Sequence, residues 1–172
     1  MSEKKKTSPG AVILNVIGTL IIILAIALCL LLVVPRAFGI SGYTVLSGSM
    51  EPTIHVGSIV YAKAVDNPET LKESDIVVFY EGLGTVPVVH RIVENRLSER
   101  EIITKGDANA AEDLQPTPYK NIIGKDVLHI PFLGMILTPL NTLYGKLAVL
   151  ALIAGGLLLC WVSQRIRNNT ES

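Results

Sequence analysis

Cysteine is nearly absent from this chain. Its two cysteines, Cys29 and Cys160, both lie in long apolar runs, and the stretch between those runs has none. That excludes a disulfide framework and a CxxC metal site from the middle of the protein. The two thiols are not expected to meet. If the runs cross a bilayer in opposite directions, the cysteines differ in depth by very roughly 20 Å at ~1.5 Å per residue. Net charge is also lacking: 15 Lys and Arg balance 15 Asp and Glu. A nucleic-acid partner would favour a basic patch, so that class is excluded. The three histidines, His55, His90 and His129, show neither i, i+4 helical spacing nor an accompanying ligand set. They do not make a zinc site, and neither a metal nor another cofactor is expected.

Hydrophobic residues are 49% of the 172, and they are concentrated in two runs, one near each end. Thr7 to Pro35 is free of charge, and Val12 to Val34 is mostly Ile, Leu, Val and Ala. That exceeds the ~20 residues needed to cross hydrocarbon. Lys4, Lys5 and Lys6 precede the run, which orients the N-terminus to the cytoplasm. A cleavable signal peptide opens similarly, but its apolar part is only ~7–15 residues, so a retained signal anchor is expected. A second uncharged run, Leu147 to Gln164, can span when Leu143 to Gly145 are added. Lys146 can snorkel at its outer end, and Arg165 and Arg167 follow on the cytoplasmic side. The Gly155-Gly156 pair admits close approach of another helix, or is simply a tolerated pair. Asn168-Asn169-Thr170 matches a glycan acceptor but would be cytoplasmic.

The expected organisation is therefore a basic cytoplasmic N-terminus at 1–10, a transmembrane anchor at 11–35, an extracytoplasmic domain at 36–142, a second transmembrane helix at 143–163 and a cytoplasmic tail at 164–172. About a hundred residues suffice for one modest core. Ile59-Val60-Tyr61, Ile76 to Tyr80, Val86 to Val93, Ile102-Ile103-Thr104 and Asn121 to Ile130 are short and rich in β-branched and aromatic residues. Asn67-Pro68, Gly82-Leu83-Gly84, Gly106-Asp107 and Gln115 to Pro118 punctuate them. The pattern predicts a mainly β domain, with one helical turn within Pro68 to Ser74. Pro131 to Pro139 is apolar but too short to span, and suits either core or interface.

A domain without cysteine or metal-spaced clusters leaves nucleophilic serine chemistry as its catalytic option. Ser47-Gly48-Ser49-Met50-Glu51-Pro52-Thr53 has the composition of an exposed turn, with Gly48 permissive and Pro52 fixing φ. It follows the first apolar run by about a dozen residues. By itself, Ser49 there is a polar bend. His90, in Val88 to Val93, shares a strand face with Ile92, opposite Val89 and Arg91. By itself it is a strand histidine with a backbone partner. His55 is expected at the surface, and His129 in an apolar strand. Lys105-Gly106-Asp107 to Asp113 is a turn that can present a carboxylate to a histidine, or a solvated acidic loop. Lys63 and Lys105 are alternative bases, but their polar surroundings do not favour a lowered pKa. Spacing alone does not choose among these residues.

Taken in order, the serine turn, Val56 to Val60, Asp75 to Phe79, Val88 to Val93, and Thr104 to Asn109 with Asp113 resemble type I signal peptidases. The common bacterial branch has lysine immediately before the Arg-Ile/Val of the histidine box. Here that residue is His90, as in the branch of the endoplasmic reticulum, archaea and some Gram-positive bacteria. Ala108 departs from the frequent Asp-Asn. The resemblance implies a signal peptidase-like β domain carried by membrane helices, with Ser49 as nucleophile and His90 as general base. Asp113 would orient the imidazole, Asp107 would shape the loop, and Ser47 would help stabilise the oxyanion. It implies a membrane-bound serine endopeptidase that cleaves signal peptides from secretory preproteins after a small-x-small motif. The setting would be the plasma membrane of a Gram-positive bacterium or archaeon, with lipids as partners and partner subunits possible. A dedicated processing peptidase and a silent membrane-anchored adaptor are the rivals.

Overall fold

The computed structural model describes residues 9–169. The three N-terminal lysines and Thr170 lie outside the described residues. The chain divides into two compact units, one of residues 1–31 and 139–172, the other of residues 32–138.

The first unit is built from long apolar helices. Helix α1 runs Pro9–Ala37 and α3 runs Leu143–Asn169. Both are long and apolar enough to cross a membrane. Their contacts pair Ala11 with Ser163, Asn15 with Cys160, and Gly18 with Gly156. Ser163 Oγ donates to Ala11 O at 2.6 Å. A Cβ on Gly18 would lie 2.7 Å from Gly156 O, and one on Gly156 would lie 3.0 Å from Gly18 O. Close approach therefore uses Gly156, while a Cβ on Gly155 would meet nothing within 4 Å. The glycine pair of the sequence is one contact residue and one bystander. The two cysteines are free.

The second unit is mainly β, as the alternation of short β-branched runs predicts. Its strands are β1 (Ile40–Thr44), β2 (Ile59–Lys63), β3 (Ile76–Tyr80), β4 (Pro87–Arg96), β5 (Glu101–Lys105), β6 (Thr117–Pro118) and β7 (Ile122–Ile130). They form one seven-stranded sheet in the order β1-β2-β7-β3-β4-β5-β6, and every paired neighbour is antiparallel. The predicted helical turn is a 3₁₀ turn at Pro68–Thr70, with Asn67 capping Glu69 N–H. Strand β1 went unmarked because Ser41 and Gly42 interrupt its apolar pattern, and β6 because two residues carry no period. Pro131 to Pro139 resolves as helix α2, Leu133–Leu140, with Gly134 and Leu137 buried.

Both faces of the sheet carry core. One cluster gathers Val45, Met50, Ile54, Val60, Ala62 and Val78. The other gathers Leu71, Val77, Phe79, Ile92, Ile102 and Tyr119. Alternation along β3 sends Val78 to the first and Val77 and Phe79 to the second. The β1–β2 loop is thus held by apolar anchors, since Met50 and Ile54 are fully buried beside Val60 and Val78.

Candidate active site

Met50 is sealed in the core, and its neighbour Ser49 is half-buried in the same turn. The turn closes through Glu51 N–H to Gly48 O at 3.0 Å, followed by Ile54 N–H to Met50 O at 2.9 Å. Gly48 does not supply the special backbone angles its sequence suggested. The glycines in the left-handed region are Gly39, Gly57 and Gly82. A Cβ on Gly48 would make ordinary contact with Glu51 Cγ at 3.4 Å, so the turn is shaped by its hydrogen bonds and the buried Met50.

His90 lies on β4 opposite Val77 of β3. It is 8% exposed, with Phe79 edge-on at a 6.1 Å centroid separation. A buried imidazole needs a polar partner. His90 Nδ1 meets Asp113 Oδ2 at 2.6 Å. The same oxygen accepts Thr104 Oγ1–H at 2.6 Å, and Asp113 N–H donates to Thr104 O at 2.9 Å. With Nδ1–H donated to the carboxylate, the free lone pair of the neutral ring is on Nε2.

Asp107 takes a different partner. Arg91 points to the other side of β4 and forks onto it, Nε to Oδ1 at 2.8 Å and Nη2 to Oδ2 at 2.7 Å. Arg91 Nη1 also donates to Ser74 O at 2.8 Å. The Arg91 guanidinium holds the Asp107 carboxyl below its usual range, with help from Thr53 and against the opposing effect of burial.

The acidic loop is also tied to the serine turn. Ala108 N–H donates to Ser49 O at 2.9 Å. A Cβ on Gly106 would sit 2.6 Å from Ser49 O, so only glycine permits that approach. Ser49 Oγ lies 3.4 Å from Ser47 Oγ. No hydrogen bond joins Ser49 Oγ to the His90 ring among the described residues, a looseness common in catalytic sites without substrate.

A cleft of about 270 Å³ opens beside Ser49, lined by Tyr43 to Ser47 on one side and Val86 to Val89 on the other. Its walls are mostly apolar backbone-extended segments.

The remaining candidates lie elsewhere. His55 bonds Glu51 and stacks on Phe132, and His129 bonds Asp126 within β7. Lys63 is exposed at the end of β2, and Lys105 faces Arg91 across β4 and β5. Two participants were not singled out in the sequence, Thr104 and Arg91. Arg91 was legible in principle, since alternation puts it opposite His90. Thr104 depended on strand pairing, which brings it opposite Ile92. Among the described residues no group of His, Cys, Asp and Glu could hold a metal.

Comparison with known proteins adds ancestry to this geometry. The family model described as "Signal peptidase, peptidase S26" matches residues 15–94. Signal peptidase I W of Bacillus subtilis (strain 168) is 35% identical over 117 residues, 63% of this chain and 61% of that protein. The signal peptidase complex catalytic subunit SEC11 of Candida tropicalis is 34% identical over 124 residues, 64% of this chain and 74% of that protein. The SEC11 subunit of Lodderomyces elongisporus is 36% identical over 102 residues, 54% of this chain and 60% of that protein. The chain belongs to the signal peptidase family. It spans about three fifths of the length of the Bacillus and Lodderomyces relatives.

Proposed function

We propose that this protein is a membrane-bound serine endopeptidase that removes signal peptides from secretory preproteins. The observation that carries the reading is the buried His90–Asp113 pair at 2.6 Å, whose Asp113 lies on the loop where Ala108 N–H holds the Ser49 backbone. In this reading Ser49 Oγ attacks the scissile carbonyl while His90 Nε2 takes its proton. Asp113 keeps the Nδ1–H tautomer and stabilises the imidazolium. The developing oxyanion is met by Ser47 Oγ–H and the Ser49 backbone N–H. The protonated histidine then delivers its proton to the leaving amine as the C–N bond breaks. Water, deprotonated by the same imidazole, hydrolyses the Ser49 ester and frees the signal peptide's new C-terminus. Asp107 acts at a distance, by clamping Arg91 and so setting the loop.

The cleft between Tyr43–Ser47 and Val86–Val89 suits an extended peptide added as a strand. The preference for small residues before the cleaved bond comes from the family resemblance. The helices α1 and α3 cross the membrane with both termini cytoplasmic and the β unit outside. A substrate anchored by its own apolar segment would then present its cleavage site in the layer where Ser49 is tethered. The membrane is the plasma membrane of a Gram-positive bacterium or an archaeon. Partner subunits, as the word "complex" in the names of the SEC11 relatives suggests for those proteins, are compatible with this chain.

The test is processing of a co-expressed preprotein in membranes. Ser49→Ala and His90→Ala should each lower cleavage at least ~10³-fold, while His55→Ala and His129→Ala leave it largely intact. Full processing in Ser49→Ala membranes would favour the adaptor.

A further inference from the structure

Strand β5 buries three consecutive residues, Ile102, Ile103 and Thr104. The first two are the aliphatic residues that such positions ordinarily take. Thr104 is 1% exposed and carries a hydroxyl instead. Valine has nearly the same shape and shares the preference for strands. A buried hydroxyl is unfavourable unless it is hydrogen-bonded. The strand pairing shows where this one is used. Thr104 lies opposite Ile92, which shares a face of β4 with His90, so Thr104 is the diagonal neighbour of the imidazole.

Thr104 grips Asp113 at two points. Thr104 O accepts the Asp113 N–H at 2.9 Å, which fixes the main chain of the loop. Thr104 Oγ1–H donates to Asp113 Oδ2 at 2.6 Å, the length of a charge-assisted O–H···O⁻ bond. The two bonds have different effects. The first brings Asp113 to β5 whatever side chain stands at position 104. It leaves the carboxylate free to turn, because the terminal torsion of an aspartate is broad and roughly two-fold. The hydroxyl removes that freedom. Oδ2 is also the oxygen that meets His90 Nδ1 at 2.6 Å. A carboxylate oxygen has about two acceptor directions, and here each takes one donor. Oδ2 is thus held toward the ring by a group that keeps its proton and its partner while the imidazole gains and loses a proton.

We propose that Thr104 is a positioning residue of the peptidase reaction: its hydroxyl orients the Asp113 carboxylate, which in turn holds the His90 ring with Nε2 free to take the Ser49 proton. Thr104 acts only through Asp113. The inference rests on the proposed role of His90 as general base.

The full chain in detergent micelles is compared as wild type, Thr104→Val, Thr104→Ser and Asp113→Asn. Preprotein cleavage, thermal unfolding and the proton NMR resonance of His90 Nδ1–H are measured on each. Thr104→Val keeps the main-chain bond and deletes the hydroxyl. Its kcat should fall ~10- to 10²-fold, as for loss of one hydrogen bond to a charged group, with KM nearly unchanged. That is a smaller loss than for Asp113→Asn. Thr104→Ser keeps the donor and removes a buried methyl, so it should lower Tm yet recover most of the rate. Rate losses that follow Tm through both variants would mean a merely structural role and overturn the proposal. Full kcat in Thr104→Val overturns it too. The Nδ1–H proton, donated to a carboxylate, resonates at low field in the wild type. It should move upfield or broaden in Thr104→Val and return in Thr104→Ser, and an unchanged resonance in Thr104→Val overturns the proposal. This signal needs no substrate. A wild-type chain that cleaves no preprotein removes the peptidase reading, while the resonance still decides whether Thr104 orients the pair. If Thr104→Val does not fold, Thr104→Cys, of similar volume and only a weak donor, takes its place with the same expectations.

Discussion

His90 and Asp113 meet at 2.6 Å although they belong to different kinds of structure. His90 is fixed within the β4 ladder, and Asp113 lies on an irregular loop that returns to β5 through its own N–H and carboxylate, both bound to Thr104. The carboxylate is therefore placed by β5, the imidazole by β4, and their geometry by the pairing of those two strands.

The two aspartates separate by experiment. Asp113→Asn removes the charge and presents an amide N–H donor that selects the wrong tautomer of His90, and kcat should fall ~10⁴-fold with little change in KM. Asp107→Asn breaks the fork with Arg91 instead. It should lower the melting temperature and reduce activity far less. Steady-state kinetics on both variants beside thermal unfolding checks this, and equal kinetic losses would refute the division.

Gly106→Ala is a small change at a crowded point. The added Cβ would meet Ser49 O at 2.6 Å. The serine turn must shift by a few tenths of an ångström or more, and positioning errors of that kind cost up to ~10²-fold in rate. A folded variant with substrate affinity retained and kcat reduced is the expected result, measured by single-turnover cleavage.

Acid stability should follow the Asp107–Arg91 pair. The folded pKa of Asp107 is lowered from its ordinary 3.8 by the Arg91 hydrogen bonds first, so the ionised form is the one the fold favours. The resulting stabilisation is fully present above the unfolded value and is lost as pH falls through the folded one. Thermal unfolding from pH 6 down to pH 2 should show a drop starting near the ordinary carboxylate value. In Asp107→Asn that part of the drop should be missing.

The helix pair gives a contrast between adjacent residues. Gly156→Leu places a side chain where even a Cβ comes within 2.8 Å of Ile22 Cγ1, and it should destabilise the protein in detergent. Gly155→Leu meets open space and should be tolerated within about 0.5 kcal/mol. Melting of the two variants in the same micelles decides it.

Much of the protein was legible before any coordinates. The uncharged runs had to become long helices, because ~20 apolar residues can satisfy their backbone polar groups within a helix and not in lipid. The short β-branched runs had to become strands, and β2, β3, β4, β5 and β7 fall on the segments so marked. Ser49, His90, Asp107 and Asp113 stood out only through the family resemblance of the ordered boxes, because local chemistry alone left each of them a polar turn, a strand histidine or an acidic loop. What local chemistry missed lies in short or interrupted patterns. Ser41 and Gly42 hid β1, and α2 read as either core or interface because its inner and outer sides are equally apolar.

Partner choice was decided in three dimensions. Residue type and spacing leave Asp107 and Asp113 equal as mates for His90; only the family resemblance favoured Asp113, the one that meets the ring. The pleat sends His90 and Arg91 to opposite sides of β4, so each reaches a different carboxylate. Strand order does the rest: β7 inserts between β2 and β3, and β4 pairs with β5. The residue types, the apolar spans and the turn that carries Ser49 follow from the chain's own composition and spacing. Which carboxylate holds the imidazole, why Gly106 is needed and which glycine admits α1 depend on long-range packing. No local rule encodes those, because the atoms that meet are far apart along the chain.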